Sequence, residues 1–430
     1  QWASPEAALA GALNGGYNCA LIVPVRDEQA AFIDGLMPAL VTQSGVLLIV
    51  VVNSDAACSE AVRASNRSVL EDVRNRGASR ELSGVPGCVL VNTEACDVLL
   101  LDRSSDGMQL PAKTGAGLAR KIGCDIAAAL WAQGKFTQPW LFNTDADVTL
   151  PVDYFRHQAE PEGVGALLYP FWHEAAQGDQ AVTAATAAYE TWLRYYVLAL
   201  AWAGSPYAFH TVGSAFAVHA RAYCEARGMP KRDAAEDFHL LAKVAKLAPL
   251  QRVSPLIAIQ SRRSARAPIG TGARVAALLS GSPLLFYNPQ SFVVLRAVLQ
   301  GLRHWAAAPR ADEFNEALSQ LPQLQAALAS KVLNDLGLNA AFQHCVAQGG
   351  AGQDRLIRLH TWFDALNTLH LLHELQRDLL PAVSWAIAAS QAEFLSPISP
   401  TLADPAAAAP ALEELEMQLP KRVGPTLLRV

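Results

Sequence analysis

Four short apolar runs, each closed by polar residues, constrain this chain more than any other feature. They are NCALIVPV (18–25), VLLIVVVN (46–53), VLLL within DVLLLD (98–101) and WLFN (140–143). A continuous apolar run of four to eight residues fits a strand buried on both faces, as in parallel sheets. Between the runs, residues 30–43, 60–75 and 115–133 have helical character. Strand and helix alternate, which predicts an α/β fold with a doubly wound sheet and helices on both faces. Ligands of such sheets bind beyond the carboxyl ends of the strands. The polar residues that close each run are therefore the candidates for function.

The fourth run continues as LFNTDADVTL (141–150), with Asp145 and Asp147 two apart where a buried strand ends. Carboxylates there suit a hard divalent cation, which takes oxygen ligands and can bridge to a diphosphate. An Asp-x-Asp is also common in ordinary turns. Farther on, 165–171 (GALLYPF) and 211–219 (TVGSAFAVH) read as strands. Residues 184–203 form a helix rich in aromatics (Tyr189, Trp192, Tyr195, Tyr196, Trp202), and another helix covers 237–247. From about 291 strand signals almost vanish, and 291–306, 313–336, 340–348 and 356–380 show helical periodicity. The Pro/Ala-rich stretch from 396 reads as a wrapping or partly mobile tail. Two domains are expected: a nucleotide-binding α/β domain over 1–275 and a helical region over 276–430.

The composition sets limits. Of 430 residues, 51% are hydrophobic and 17% charged, enough for a sizeable core and unlike a disordered chain. The net charge of −5 has no basic stripe, so no nucleic-acid partner is expected. Seven scattered cysteines with no CxxC pair read as reduced thiols. The start, QWASPEAALA, lacks the basic and apolar regions of a signal peptide, and its Gln1 fits a trimmed chain. A cytoplasmic location is the expectation. No apolar run reaches membrane-spanning length, since Ser280, Asn288, Pro289 and Arg296 interrupt the best stretch.

Four further constellations accompany the acidic pair. The first strand ends in Pro24, Val25, Arg26, Asp27 and Glu28, and the second in Asn53, Ser54 and Asp55. Adjacent strands ending this way can form a cleft for uridine or a similar group, or be ordinary solvated loop ends. In PAKTGAGLARKIGCDIA (111–127), Gly115 and Gly117 allow a close backbone approach at a helix start. Lys113, Arg120 and Lys121 add positive charge, which favours an anion, or else a solvated basic face. In DAAEDFHLL (233–241), Glu236 and Asp237 open a helix. The helix-end field is expected to keep them ionised, and an ionised carboxylate can take a proton from a hydroxyl. Acidic first turns are also common as plain helix starts. His239 is a weaker candidate metal ligand. In QSRRSARAPIGTG (260–272), Arg262, Arg263 and Arg266 sit among Pro268, Gly270 and Gly272, which suits a loop closing over a diphosphate, or a solvated basic loop.

In this order the pieces resemble the GT-A glycosyltransferases, most closely the large family 2 type. The resemblance covers roughly 18–270. It rests on the Val23-Pro24-Val25-Arg26-Asp27-Glu28 turn, on Asn53-Ser54-Asp55, and on Gly115 to Gly123 as a G-x-x-x-A-R helix start. It continues through Asp145-Ala146-Asp147, Gly213-Ser214-Ala215-Phe216-Ala217 and Glu236-Asp237. The chain departs from the family at Asn53, where an acid is usual, at Lys121, and in lacking a Q-x-x-R-W motif. The resemblance implies a GT-A-type mixed sheet and a metal-dependent, inverting, non-processive hexosyltransferase using a UDP-sugar. Asp145 and Asp147 would hold Mg²⁺ or Mn²⁺, and Asp237 beside Glu236 would be the base. Pro24, Val25, Arg26, Asp27, Glu28, Asn53, Asp55, Lys113, Arg120, Asp145, Arg262, Arg263 and Arg266 would bind the donor. Trp172, His173, Gly213 and Ser214 would border the acceptor, a carbohydrate, glycolipid or small hydroxyl compound, and the aromatic helix would either join them or pack in a core. A homodimer through the apolar C-terminal helices, and at most peripheral membrane contact, are compatible with this. The rivals are a retaining transferase, a sugar nucleotidyltransferase (whose early glycine-rich loop is missing here), and an inactive glycan- or nucleotide-binding protein.

Overall fold

The computed structural model describes residues 3–156, 163–261, 270–398 and 404–429. The chain divides into two compact units, Gln1–Gln177 with Thr211–Ala273 and Gly178–His210 with Arg274–Val430. The first is a mixed sheet flanked by helices. It contains β1 (Cys19–Val25), α1 (Phe32–Leu40), β2 (Val46–Asn53), α2 (Glu60–Asn75), β3 (Ala78–Glu81), β4 (Cys88–Asn92) and β5 (Asp97–Arg103). Then follow α3 (Gly115–Ala132), β6 (Trp140–Asn143), β7 (Val148–Thr149), β8 (Ala166–Leu168) and β9 (Phe171–Glu174). After α4 (Gln180–Ala203), which belongs to the second unit, come β10 (Phe216–His219), α5 (Ala220–Glu225), α6 (Glu236–Leu247), β11 (Leu250–Arg252) and β12 (Ile257–Gln260).

The main sheet of this unit runs β11-β8-β10-β6-β1-β2-β5-β4-β3. β1 pairs in parallel with β2 on one side and β6 on the other, and β2 with β5. These pairings follow from the apolar runs: β1, β2 and β6 are buried along their whole length, so their backbone groups must find partners in neighbouring strands. β10 is antiparallel to both β6 and β8, which makes the sheet mixed. At the far edge β3 (ASRE) is exposed at every position, and its charges discourage edge pairing with another chain.

The order β5-β2-β1-β6 reverses its progression between β1 and β6. At such a switch point the loops leaving neighbouring strands diverge and leave a crevice. The register pairs Ile22 with Asn143, so the ends of β1 and β6 open at the same edge. A smaller sheet, β7-β12-β9, starts directly after Asp147, and the Gln260 N–H donates to the Asp147 carbonyl (2.8 Å). Helix α3 lies close on β1 because Gly123 has no side chain there: a Cβ would stand 2.5 Å from Ile22 Cγ2.

Several boundaries differ from the sequence expectation, each for a local reason. The 165–171 run splits into β8 and β9 at Tyr169-Pro170, and the two strands join different sheets. Of 211–219 only Phe216–His219 is strand, preceded by the turn at Gly213 and Ser214. The 313–336 helix is two, α9 (Ala311–Ser319) and α10 (Gln323–Asp335), because Pro322 cannot continue the first. The 356–380 helix is α12 (Gly352–Trp362) and α13 (Ala365–Asp378), divided where the Asp364 carboxylate accepts from Leu366 and Asn367 N–H. The Pro/Ala-rich tail contains a helix, α15 (Pro405–Met417), begun by an Asp404 cap and Pro405.

The second unit is helical, with α4, α7 (Thr271–Leu279), α8 (Pro289–Ala307), α9, α10, α11 (Leu338–Gln348), α12, α13, α14 (Trp385–Gln391) and α15. Its core joins Tyr195, Phe286, Phe292, Val298, Leu302, Leu333, Phe363 and Leu371. The aromatic helix α4 therefore feeds this core. The Tyr195 ring lies 5.3 Å from Phe286 and 6.0 Å from Phe292, while Trp192 stacks between Tyr189 and Tyr196. Among the described residues no helix is long and apolar enough to cross a membrane.

α15 is tied to α4 by buried charges. Arg194 donates to Glu190 Oε1 (2.6 Å) and to Glu416 Oε2 (2.7 Å), and Glu416 Oε1 lies 2.8 Å from His210 Nε2. Burial alone would raise the Glu416 carboxyl, but His210 and Arg194 outweigh it and bring it down to about 2. With the folded value below the unfolded one, the stabilisation is complete above the ordinary glutamate range and is lost as pH falls toward 2. Glu416→Gln should cost about 3 kcal/mol at neutral pH, because it leaves Arg194 short of a buried partner. It should also flatten the loss of stability between about pH 4.5 and 2. Denaturant melts of both proteins across that range check this.

Candidate functional site

The first wall of the crevice is the end of β1. Pro24 and Val25 are buried strand residues and can offer a ligand only backbone. Asn53 was expected to touch a nucleotide; instead it is buried, and its amide donates to the Val25 carbonyl (3.0 Å) and the Val51 carbonyl (3.3 Å). It clamps the ends of β1 and β2 together. Behind it, Asn66 of α2 donates to the Asn53 carbonyl (3.1 Å) and accepts from the Asp27 N–H (3.0 Å). Asn66 was not anticipated from the sequence, because a lone Asn inside a polar helix gives no signal. Beyond this clamp Arg26 Nη2 meets Asp55 Oδ2 at 3.3 Å, both partly exposed. Arg26, Asp27, Glu28 and Asp55 therefore form one polar rim.

The second wall is built around one arginine. Arg120 of α3 is 2% exposed, and its guanidinium reaches two separate elements. Nη2 donates to Asp145 Oδ1 (2.6 Å) and Nη1 to the Thr144 carbonyl (3.4 Å), both just past β6. Nε donates to Glu236 Oε1 (3.2 Å) at the start of α6. The sequence reads Arg120 and Lys121 as charges that favour an anion. Arg120 faces inward onto carboxylates, and Lys121 is buried against Asp125 (2.9 Å). Lys113 is exposed in the loop before α3.

The glycines at the start of α3 also serve the chain itself. A Cβ on Gly117 would stand 2.4 Å from the Arg232 carbonyl oxygen, to which the Gly117 N–H donates (3.1 Å). Gly115 lies against Asp233. The close approach they permit is that of the 230–235 loop, which leads into Glu236 and Asp237. Gly213 fills a similar need: a Cβ there would stand 2.8 Å from Arg120 Nη2 and 3.4 Å from Asp237 Oδ2. Ser214, beside it, is buried.

Backbone strain gathers at these loops. Among the described residues the non-glycine positions with positive φ are Asp27, Lys113, Arg227 and Ala235. Asp27 follows β1, Lys113 precedes α3, and Ala235 immediately precedes Glu236. Each costs on the order of 1 kcal/mol or more and persists only where surrounding contacts impose it.

Asp237 shows what the arrangement does. It is half-buried, and Oδ1 accepts the Phe238 N–H (2.7 Å). Burial and the neighbouring Glu236 push its carboxyl up to about 7, against the opposing pull of that N–H and of Arg120. Burial and the neighbouring carboxylates thus oppose the ionised form that a helix start by itself favours. A carboxyl poised near neutrality can both accept and release a proton.

The remaining candidates are dispersed. His239 lies two positions after Asp237 on α6, and residues two apart do not share a helix face. Trp172 and His173 are consecutive on β9, so their side chains leave opposite faces of the strand. Trp172 is exposed, while His173 has Phe171 at 5.8 Å and the Thr271 hydroxyl 3.5 Å from Nε2. Arg262, Arg263 and Arg266 lie outside the described residues.

Among the described residues no group of three or more His, Cys, Asp or Glu is arranged to hold a metal ion. Asp145 and Asp147 remain as half-exposed carboxylates at the strand end, and the buried Thr144 hydroxyl between Asn143 and Asp145 makes no hydrogen bond. One or two carboxylates are what Mg²⁺ takes when substrate phosphates and water complete its shell. The donor set fits a cation that arrives with a diphosphate rather than one caged by protein.

Compared with known proteins, the chain matches no family model and no curated protein sequence. The site therefore stands on its geometry. Gly117→Ala should push the 230–235 loop off α3 and lower stability by about 2 kcal/mol. Gly11→Ala, with nothing within 4 Å of its Cβ, should be near neutral. Paired thermal melts of the two variants check this.

Proposed function

We propose that the first unit is a GT-A-type glycosyltransferase domain, metal-dependent and inverting, that moves a hexose from a nucleotide-sugar donor to a hydroxyl acceptor. The observation that carries this reading is the join at Arg120 of an acidic strand end, Asp145, to a helix start, Glu236-Asp237, beside the switch point of a mixed α/β sheet. The order of motifs along the chain supports it too. A UDP-sugar is the favoured donor.

In this mechanism Asp237, beside Glu236, removes the proton of the acceptor hydroxyl. The acceptor oxygen forms a bond to the anomeric carbon, and the bond from that carbon to the diphosphate oxygen breaks, its electron pair leaving with the nucleoside diphosphate. Asp145 and Asp147 would hold a Mg²⁺ or Mn²⁺ ion, which supplies charge stabilisation to a departing diphosphate. Arg26, Asp27, Glu28 and Asp55 orient the nucleoside, and Lys113 faces the phosphates. Arg262, Arg263 and Arg266 follow β12, whose last residue bonds to Asp147, which suits a phosphate clamp. Trp172 offers an exposed aromatic face for the acceptor.

The reading is tested by calorimetry with UDP-, GDP-, dTDP- and CMP-sugars, with and without Mn²⁺. Metal-dependent binding of one nucleotide is expected, lost in Asp147→Ala and kept in Asp237→Ala. Binding by none of them would sink the donor assignment, and binding without turnover would leave a nucleotide-binding module. Product anomer, read by NMR, separates inversion from retention. Where transfer is found, kcat/KM should climb with pH toward a plateau above about 7, as the Asp237 carboxyl loses its proton. Asp237→Asn should remove that limb and lower kcat by about 10²-fold or more.

A further inference from the structure

We infer that Arg120 is a positioning residue that latches Asp145 to the Glu236-Asp237 helix start, so that a divalent cation must share Asp145 with a buried guanidinium. Its catalytic consequence rests on the transferase reading, while its electrostatic consequence does not.

The geometry is specific to an arginine. Three nitrogens of one guanidinium each have a separate target: Nη2 the Asp145 carboxylate, Nη1 the Thr144 carbonyl and Nε the Glu236 carboxylate. Two of these targets follow β6 and the third begins α6, so one side chain spans two elements. A planar fork can span them; a lysine ammonium is a single point and cannot. Gly213 leaves room for the guanidinium beside Asp237, since a Cβ there would stand 2.8 Å from Arg120 Nη2.

The charges give the latch a second effect. Asp145, Glu236 and Asp237 all act on Arg120, and the next cation along α3, Lys121, is committed to Asp125. Three carboxylates thus face one guanidinium. The 2% exposure of Arg120 removes it from contact with a phosphate, so its charge acts on the acids and not on the donor. It holds Asp145 at Oδ1, and the carboxylate as a whole is 37% exposed, open to a ligand from the cleft. A cation binding there meets the field of Arg120 as well as that of the acids.

Removing the guanidinium therefore has two effects of opposite sign. The acids lose their internal cation, so the free protein should bind Mn²⁺ more tightly. The two elements lose their common tie, so transfer should slow. A purely structural role predicts that both fall together.

The test is Mn²⁺ titration of the free full-length chain, by calorimetry and by electron paramagnetic resonance, beside steady-state transfer kinetics. Arg120→Met should bind Mn²⁺ about tenfold more tightly or better. Arg120→Lys, which keeps the charge and loses the fork, should stay within about threefold of the parent for Mn²⁺. Its kcat should nevertheless drop about 10²-fold, with little change in donor KM. If Arg120→Met does not fold, Arg120→Met with Glu236→Gln removes the buried pair together and is compared with Glu236→Gln alone; the double variant should bind Mn²⁺ more tightly than the single. Unchanged or weaker Mn²⁺ binding on loss of the guanidinium, including no binding in any form, overturns the latch. The expected Mn²⁺ pattern in a protein with no transfer activity supports the latch and overturns the transferase reading instead.

Discussion

Strand β1 lies between two parallel neighbours and is buried at every residue. Its backbone groups pair in the ladders to β2 and β6, and at its end with the Asn53 amide, so its register cannot slip without stranding buried polar groups. That pairing aligns Val25 with Val52 and Ile22 with Asn143. The polar residues that follow each strand are delivered to one edge, where the chain reverses its direction of travel across the sheet. The Asn53 clamp, the Arg26-Asp55 pair and the Asp145 turn are all built on that edge.

A second constraint is how closely α3 can approach what surrounds it. Gly123 seats the helix on Ile22, and Gly117 admits the main chain of Arg232. Between them Arg120 is turned inward, where Gly213 leaves it space beside Asp237. One helix thus ties the centre of the sheet to the loop that carries the proposed base. The carboxyl of that base is lifted by burial and by Glu236, and Arg120 keeps the effect from going further. The same side chain ties Asp145 to Glu236. Charge balance and geometry in this site are one problem with one solution.

The helical unit follows another logic. It is mostly helical, and it relies on an aromatic and aliphatic core together with a few buried ion pairs. Arg194, Glu190, Glu416 and His210 join α4 to α15, two helices more than two hundred residues apart in sequence. The interior charges favour one pairing of helices over the many that apolar faces alone would allow, because a mispaired helix would leave Arg194 buried with Glu190 alone, without Glu416.

Much of the α/β framework could be read from the chain alone. Short apolar runs closed by polar residues fit buried strands, and a period of 3.6 fits helices, so β1, β2, β5, β6, α2 and α3 emerge within a residue or two of expectation. Asp145, Glu236 and Asp237 could be picked out because carboxylates at element ends are visible as local pattern. What the chain could not show is direction. Arg120 reads as a surface charge until α3 is docked, Asn53 as a ligand until β1 lies beside it, and Gly117 as an anion loop until Arg232 arrives. Asn66 carries no local signal at all. Local patterning follows from covalent neighbours and solvent, so sequence by itself determined the central strands and the helices between them. Which way a polar side chain faces, and what its proton costs to remove, depend on residues a hundred positions away, and those only tertiary packing brings within hydrogen-bond range.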